Sequence, residues 1–402
     1  MLILLQSIIV YGIMIWAMVF FGNIAYKKQY PQGYGGIDTF RKKKLPVAAL
    51  FTNSYFLIPI LVFCTFAALR YKVGVDSEAY KLRYYEITSY LGFVSRDIEP
   101  AFIFLGKLTG VFCKSHYLFF FILALLQIGP LYYAQRKTTY TLKFFGLVLI
   151  CLTFNNLMNG VRQNIAACLF VALLPMILEK KKWIWFIIGI FLASLMHKSA
   201  YILYPLGVIA YFFQYKILNK YIQLAILVAC VIFSDKIDAS FITDNFATLG
   251  ADAGYDERAI DVYSNFESTS KSIGLVMYMQ VTIYAIVMWF SNNMKQLFCN
   301  KIFNIQYNLF FLATTIFILF YNNFAINRLI LYIKIFIPII IAACMFYLCN
   351  SASKKNRIYL KTIIFLLSTY LLYLLYKAIP AYPMEYTLYK FDFLQDNILN
   401  QF

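Results

Sequence analysis

The sequence predicts an all-α polytopic membrane protein with about twelve transmembrane helices and one further helix that is re-entrant or interfacial. Of its 402 residues, 62% are hydrophobic and only 13% are charged, whereas a soluble domain has about 25% charged residues on average. The hydrophobic residues form long uninterrupted runs, while a membrane β-barrel alternates apolar and polar residues along its strands. Soluble enzymes and secreted disulfide-rich domains are therefore excluded.

Twelve apolar runs approach the length of about 20 residues that a helix needs to cross a bilayer, although several are shorter. The first lacks the basic start and small-residue cleavage site of a signal peptide, so we expect it to be retained as a span. We expect residues 1–402 to form a single transmembrane domain. The runs cover residues 2–24, 47–69, 116–134, 142–158, 161–179, 183–197, 199–213, 221–235, 273–291, 306–324, 326–349 and 359–377.

Six alternate loops carry the excess positive charge of the chain. They hold 20 basic and 2 acidic residues, whereas the rest of the chain holds 16 of each. Because basic loops are retained in the cytoplasm, these six are predicted to be cytoplasmic, which places both termini outside. The net charge of +18 is then explained without a nucleic-acid partner. The six loops are residues 27–46, 135–143, 179–182, 214–220, 292–305 and 350–361.

Two predicted external loops are too long to be simple turns. Within residues 70–115, the stretch 101–113 is apolar but short, and counting it as a span would place the basic loop 135–143 outside. We therefore expect it to form the re-entrant or interfacial outer helix. The second loop, residues 236–272, is acidic and rich in Ser and Asp, and it forms either a solvated spacer or a lid over a ligand.

Two arginines follow Asn runs at the predicted outer start of a span, Arg162 in NNLMNGVRQ and Arg328 in NNFAINR. We expect Asn caps and an arginine in the first turn, where free N–H groups, the helix dipole and the guanidinium together bind an anion. Gln163 is placed beside them, and the structural alternative is an arginine that extends to the interface. Lys334 lies deeper; it either pairs with a polar group of a neighbouring helix or contributes to the site.

Four more ionisable residues lie at predicted outer ends: Arg70, Asp76, Glu99 and His197. The structural alternatives are a helix N-cap for Asp76, a turn residue for Glu99 and a hydrogen-bonded histidine for His197. His116 is expected to be interfacial. Separate regions of the chain thus place these side chains and the two arginines above on one face of the membrane, so we expect an outward-facing site.

Five segments occur in order along the chain: RYKVGVDSEAY, IEPAF, NGVRQNIA, MHKSAYILYPL and INRLILYIKIFIP. Together they resemble the EpsG family, which belongs to the broader Wzy-type polymerases of O-antigen, capsule and exopolysaccharide. The resemblance extends from about residue 60 to 340. R-x-x-V-G-x-D followed by R-Q-x-I-A and H-x-S-A is fairly specific, whereas each piece alone is weak. Residues 27–46 and 236–272 fall outside these segments.

The resemblance implies a GT-C-like glycosyltransferase that acts outside the bacterial cytoplasmic membrane on polyprenyl-pyrophosphate-linked oligosaccharide. A growing glycan would pass from its lipid carrier to the non-reducing end of an incoming repeat unit. Donor and acceptor are thus both lipid-linked, membrane lipid surrounds the protein, and a chain-length regulator and a flippase are expected partners.

This chemistry gives each candidate residue a role. The pyrophosphate leaving group needs electrostatic stabilisation, and the attacking hydroxyl needs a general base. Neither a metal nor another cofactor is expected. Tyr80 either stacks on a sugar ring or belongs to the interfacial aromatic belt. The expected pyrophosphate-binding residues are Arg162, Arg328, Arg70 and Gln163; the candidates for the base are Asp76, then Glu99 and His197.

Three other functions are alternatives to a polymerase: a glycan ligase, a flippase and an O-acyltransferase. A ligase would move finished glycan from the same carrier to another acceptor with the same arginine chemistry, and the sequence does not exclude it. A lipid-linked oligosaccharide flippase would need ionisable groups near mid-membrane, where only Lys334 comes close. A membrane O-acyltransferase would need a route from a cytoplasmic acyl donor, whereas the charged residues here lie on the predicted outer side.

Overall fold

The computed structural model describes residues 2–31, 33, 46–89, 98–234, 236, 274–351, 353–380 and 386–394. Within these ranges the chain is helical and has no β-strand; a single isolated bridge pairs Arg70 with Phe391. The all-α prediction is confirmed for this part of the chain. Most of the basic loop 27–46, and nearly all of the predicted external loop 236–272, lie outside the described residues.

Nineteen α-helices follow one another in the described ranges, with short 3₁₀ segments at Leu174–Leu178, Lys180–Lys182 and Lys198–Ile202. In chain order they are α1 (Leu2–Gln29), α2 (Ala49–Thr52), α3 (Ser54–Ala68), α4 (Ser77–Thr88), α5 (Pro100–Phe112), α6 (Tyr117–Gln135), α7 (Thr139–Leu152), α8 (Phe154–Met158), α9 (Val161–Leu173), α10 (Trp183–Ser194), α11 (Leu203–Phe212), α12 (Lys220–Ile232), α13 (Leu275–Trp289), α14 (Ser291–Phe298), α15 (Lys301–Leu319), α16 (Phe324–Leu329), α17 (Leu331–Lys334), α18 (Phe336–Asn350) and α19 (Lys354–Ala378).

Six segments of the described chain are long and apolar enough to cross a membrane, and a seventh qualifies if α13 and α14, bent by 53°, form one span. Every predicted apolar run contains a helix, but α3, α7 and α12 are among those too short to qualify alone. The total of twelve spans therefore stays a prediction. The six segments are Leu2–Gln29, Tyr117–Gln135, Val161–Leu178, Lys301–Leu319, Leu331–Asn350 and Lys354–Ala378.

Helix α5 covers the short apolar stretch that was expected to stay on the outer side. It has 13 residues, which at about 1.5 Å per residue is too short for a hydrocarbon core of about 30 Å. Proline at its first position and Glu99 at its N-cap position mark its start. Its re-entrant or interfacial position stays a prediction.

Helices α1 and α7 approach closely at two glycines. A Cβ on Gly22 would collide with the backbone of Leu142, and a Cβ on Gly146 would collide with Met18. Membrane helices use small residues in this way because close backbone approach increases packing contacts where water supplies no driving force. The two glycines therefore set the distance between α1 and α7.

Replacing Gly146 by leucine is expected to lower the free energy of unfolding by about 1–3 kcal/mol, the usual cost of overpacking. Thermal unfolding in detergent measures the effect. Gly12→Leu is the matched control, since a Cβ at Gly12 meets no atom within 4 Å. Equal melting temperatures for the two variants would contradict the close packing.

The two ends of α1 contact different parts of the chain. Near its start, Ser7 Oγ accepts a hydrogen bond from Tyr389 N (2.9 Å); at its end, Gln29 Oε1 accepts one from Thr139 N (3.2 Å). These residues are about 33 Å apart along the helix, close to the thickness of a hydrocarbon core. Tyr140 also stacks on Phe298 with ring centroids 4.6 Å apart. Parts of three predicted cytoplasmic loops, 27–46, 135–143 and 292–305, thus lie near one another. We call this end of the helix bundle the basic end.

At the opposite end, the C-terminal segment 386–394 lies along the start of the chain. Tyr71 N donates to Lys390 O (2.9 Å), and Asp392 N donates to Leu69 O (3.0 Å). The Tyr11 hydroxyl donates to Thr387 O at 2.8 Å. The segment therefore holds together the start of α1 and the turn that follows α3.

Asp392 anchors this segment in a buried cluster of polar side chains. Its carboxylate lies 2.9 Å from Lys81 Nζ and 3.3 Å from His116 Nε2, and it accepts a hydrogen bond from the Tyr117 hydroxyl (3.0 Å). Burial by itself raises the pKa of Asp392, but hydrogen bonds from His116 and Lys81 and the lysine charge outweigh it and lower the pKa to about 2. His116, expected at the interface, is buried here.

Asp392→Asn is expected to destabilise the protein by roughly 2 kcal/mol near neutral pH. Because the pKa in the folded state lies below its ordinary value of 3.8, this contribution is present above about pH 4 and is lost as the pH falls towards 2. Thermal unfolding in detergent from pH 7 to pH 3 should therefore show the two melting temperatures converging. Glu86→Gln, at an exposed position of α4, is the control, and a constant difference at all pH values would contradict the assignment.

Candidate active site

The site is built at the start of α9, where two loops cross. Gly160 precedes the helix in the left-handed region, at φ +60°, a conformation that glycine adopts without strain. Gly74, at φ +87°, packs so closely on the Met158 carbonyl that a Cβ would collide with it. The Asp76 carboxylate accepts a hydrogen bond from Gly160 N at 2.9 Å. The two glycines and Asp76 thus fix where α9 begins.

Asp76 occupies the N-cap position of α4, as the structural alternative expected, but its side chain does not cap that helix. The Asn caps of α9 are a wrong expectation as well. Asn164 instead donates back to the carbonyl of Asn156 at 2.6 Å and to that of Asn159 at 2.8 Å. The Asn164 side chain, and not a side chain of the Asn run, therefore holds the turn before α9.

Glu99 is the centre of the site. Its side chain is 2% exposed, and one carboxylate oxygen contacts Arg162 while the other lies 2.9 Å from His197 Nδ1. The backbone N–H of Lys198 donates to the same carboxylate at 3.4 Å. Burial alone raises the pKa of Glu99, but the hydrogen bond from His197 and the charge of Arg162 outweigh it and lower the pKa below 4.5. Glu99 is therefore ionised at neutral pH and acts as an acceptor.

Arg162 lies between this carboxylate and two aromatic rings. Its guanidinium carbon is 5.9 Å from the centre of the Tyr80 ring and 5.4 Å from that of Phe102. Such contacts favour a cation that is removed from water. Burial also raises the pKa of Tyr80, against the opposing effect of the Arg162 charge. Tyr80 is thus buried beside Arg162.

The backbone of Arg328 also contacts the start of α9. Gln163 Nε2 donates to Arg328 O at 2.7 Å, which ties α9 to α16. Asn323 caps α16 as expected, accepting from Ile326 N at 2.9 Å. Arg328 does not lie in the first turn of a continuous span, because α16, α17 and α18 are separate helices and Arg328 is in the last turn of α16.

Arg70 is placed apart from this group. Its guanidinium is buried, donates to the carbonyls of Ala67 and Val73, and lies 4.6 Å from the centre of the Phe120 ring. Burial lowers the pKa of Arg70 to about 10, opposed by the charges of nearby tyrosines. Seven of the eight predicted site residues are therefore linked at the start of α9, whereas Arg70 shapes the turn after α3.

One contact of the site was not expected from the sequence. The hydroxyls of Ser199 and Tyr332 lie 2.7 Å apart, which joins the turn after His197 to α17. The H-x-S-A motif contained this serine, but nothing in it indicated its partner. Among the described residues, no three His, Cys, Asp or Glu side chains lie close enough to hold a metal; the expectation that no metal is needed stays a prediction.

The described helices and this cluster define a helical membrane protein with a charged candidate active site at the end opposite to the basic one. Residues 53–391, more than four fifths of the chain, match the model of the EpsG family, and the chain belongs to that family. The prediction from the five sequence segments is confirmed, and the matched range includes residues 236–272. The family suggests a membrane polysaccharide polymerase-like role. Comparisons with curated proteins and with solved structures give no match.

Proposed function

We propose that the protein polymerises polyprenyl-pyrophosphate-linked oligosaccharide repeat units at the outer face of the bacterial cytoplasmic membrane. The observation that carries this proposal is the contact of one buried carboxylate, Glu99, with both Arg162 and His197. An arginine suited to a pyrophosphate and a histidine suited to proton transfer are thereby held side by side. Glycosyl transfer from a lipid pyrophosphate needs both functions.

His197 is the general base in this proposal. Because ionised Glu99 accepts from Nδ1, the tautomer with the proton on Nδ1 is favoured and Nε2 keeps its lone pair. Nε2 would accept the proton of the acceptor sugar hydroxyl, whose oxygen bonds to the anomeric carbon of the donor glycan as the bond to the pyrophosphate breaks. Glu99 positions the imidazole and stabilises the charge it gains. Asp76, bonded to Gly160 N, is assigned to positioning the start of α9.

Arg162 and Arg328 are proposed to bind the pyrophosphate, with Gln163 holding the two segments together. A guanidinium can donate two parallel hydrogen bonds to phosphate oxygens, which a lysine ammonium cannot do. The negative charge that develops on the leaving group is stabilised where Arg162 is already oriented by Glu99 and by the Tyr80 and Phe102 rings. Arg70 is assigned to shaping the turn after α3, and Tyr80 to holding Arg162 rather than to stacking on a sugar.

The proposed membrane topology has twelve spans and a GT-C-like architecture, with the basic end in the cytoplasm and both termini outside. It is supported by the separation of the basic end from the site and by a helix in each predicted run. Helix α5 is proposed to lie at the outer interface. A chain-length regulator and a flippase remain proposed partners.

A flippase is the second candidate, because the ionisable residue Lys334 lies within the candidate span Leu331–Asn350. An assay of purified protein in detergent, with lipid-linked repeat units and no membrane to cross, separates the two classes. We expect a ladder of products with increasing repeat number. A single transfer onto another acceptor would instead indicate a ligase, and no extension at all would favour the flippase.

A further inference from the structure

A cavity of ≈ 420 Å³ opens beside the candidate active site, between α7, α9, α13, α15, α17 and α19. Two of its lining residues are near neighbours of site residues in the chain: Asn164 lies two positions after Arg162, and Asn327 precedes Arg328. The volume falls in the range of about 300–1,000 Å³ that is typical of small-molecule sites. The Asn164 side chain also donates to the Gly160 carbonyl at 3.2 Å. The cavity therefore borders the turn at the start of α9 and is large enough for a ligand.

The lining is rich in groups that bind sugar hydroxyls. Gln280 Nε2 donates to the Tyr370 hydroxyl at 3.1 Å, while Gln280 Oε1 is buried and has no hydrogen-bond partner among the described residues. A buried acceptor of this kind is costly unless a ligand or water satisfies it. The amide and hydroxyl side chains of the lining are those of Thr153, Asn156, Asn164, Gln280, Tyr284, Tyr321, Asn322, Asn327 and Tyr370.

Lys334 supplies the charge of the cavity. Its Nζ donates to Asn327 Oδ1 at 2.9 Å and lies 4.0 Å from the centre of the Phe317 ring. Both partners are neutral, and among the described residues no Asp or Glu lines the cavity and no ion pair includes Lys334. An ammonium within the candidate span Leu331–Asn350 is costly without an opposite charge. A bound anion would supply that charge.

We infer that this cavity binds a sugar residue of the lipid-linked glycan that carries one carboxylate. The carboxylate lies beside Lys334, and Gln280 accepts a hydrogen bond from a ring hydroxyl. A single ammonium matches one carboxylate, whereas a pyrophosphate is matched by the arginines at the start of α9. The inference rests on the proposed function and adds a substrate class to it, namely repeat units that contain an acidic sugar.

Binding to purified protein in detergent tests the inference with three synthetic probes: polyprenyl pyrophosphate without sugar, the same carrier bearing two glucuronates, and the carrier bearing two glucoses. The wild type is expected to bind the glucuronate probe about tenfold more tightly than the glucose probe. Lys334→Met should abolish this preference and leave binding of the sugar-free carrier unchanged. Gln280→Leu should weaken both sugar probes several-fold and spare the carrier.

Lys143→Met, at the basic end, is the matched control and should change none of the three affinities. The inference is overturned if the wild type binds the glucuronate and glucose probes equally, or if Lys334→Met still binds the glucuronate probe more tightly. Equal weakening of all three probes in Lys334→Met overturns it too, because the anion would then be the carrier phosphate. If the sugar-free carrier does not bind the wild type, the proposed function fails instead, and free glucuronate and glucose disaccharides then test the cavity by the same comparison.

Discussion

Arg162→Ala is expected to lower the rate of chain extension about 10²- to 10³-fold, the usual effect of removing one preorganised donor from a developing negative charge. The initial rate of extension by purified protein, at saturating lipid-linked substrate, is the measurement. Arg162→Lys keeps a positive charge beside Glu99 but loses the parallel pair of donors, so its rate should lie between those of the alanine variant and the wild type.

Misfolding is the competing explanation for a loss of rate, since Arg162→Ala leaves the buried Glu99 carboxylate without its cation. The double variant Arg162→Ala/Glu99→Gln removes that unpaired charge and should recover stability but not activity. Arg83→Ala, on α4 at the same end of the bundle, is the matched control and should stay close to wild type. A folded Arg162→Ala protein within a few-fold of the wild-type rate would contradict the pyrophosphate-binding role.

His197→Gln is expected to lower the rate of extension about 10²- to 10⁴-fold, because the acceptor hydroxyl loses its general base. Glutamine can still donate to Glu99, so the variant should remain folded, which its melting temperature checks. His116→Gln alters the chain's other histidine, in the Asp392 cluster, and should reduce stability more than rate.

Asp76→Asn decides between Asp76 and His197 as the general base. In the arrangement described here its carboxylate accepts from a backbone N–H, and the amide oxygen of asparagine can do the same. Activity should therefore fall only several-fold. If Asp76→Asn abolishes extension while His197→Gln stays active, Asp76 is the base and the assignment to His197 is wrong.

The sequence predicts the helices of this fold well, because each needs only a long apolar run. It does not predict where they break. Helix α7 ends at Leu152, and the run that contains Arg328 is divided at Ile330 and Ile335. Pro338 accounts for the division at Ile335, because a proline disrupts the helical turn that precedes it. No proline or glycine marks the end at Leu152 or the division at Ile330, so these two follow from packing against neighbouring helices. The first-turn position expected for Arg328 fails for this reason.

The sequence predicts which residues of the candidate site lie on the same side of the membrane. It does not predict which of them contact one another. Loop charge sufficed to bring Glu99, Arg162 and His197 to one face, but their direct contact depends on how α5, α9 and α10 pack. Arg70 differs because its neighbourhood is determined by the bridge to Phe391, more than 300 positions away, and no sequence pattern indicates that pairing. Likewise, no sequence pattern indicates that Asp392 contacts Lys81 and His116.

The anchoring of residues 386–394 on Ser7, Tyr11 and the turn at Leu69–Gly74 has a consequence for biogenesis. A ribosome produces those early residues long before residues 386–394, so the turn beside Asp76 acquires these hydrogen bonds only after that segment has been made. The candidate site therefore takes its final form late in synthesis, although most of its residues are made early.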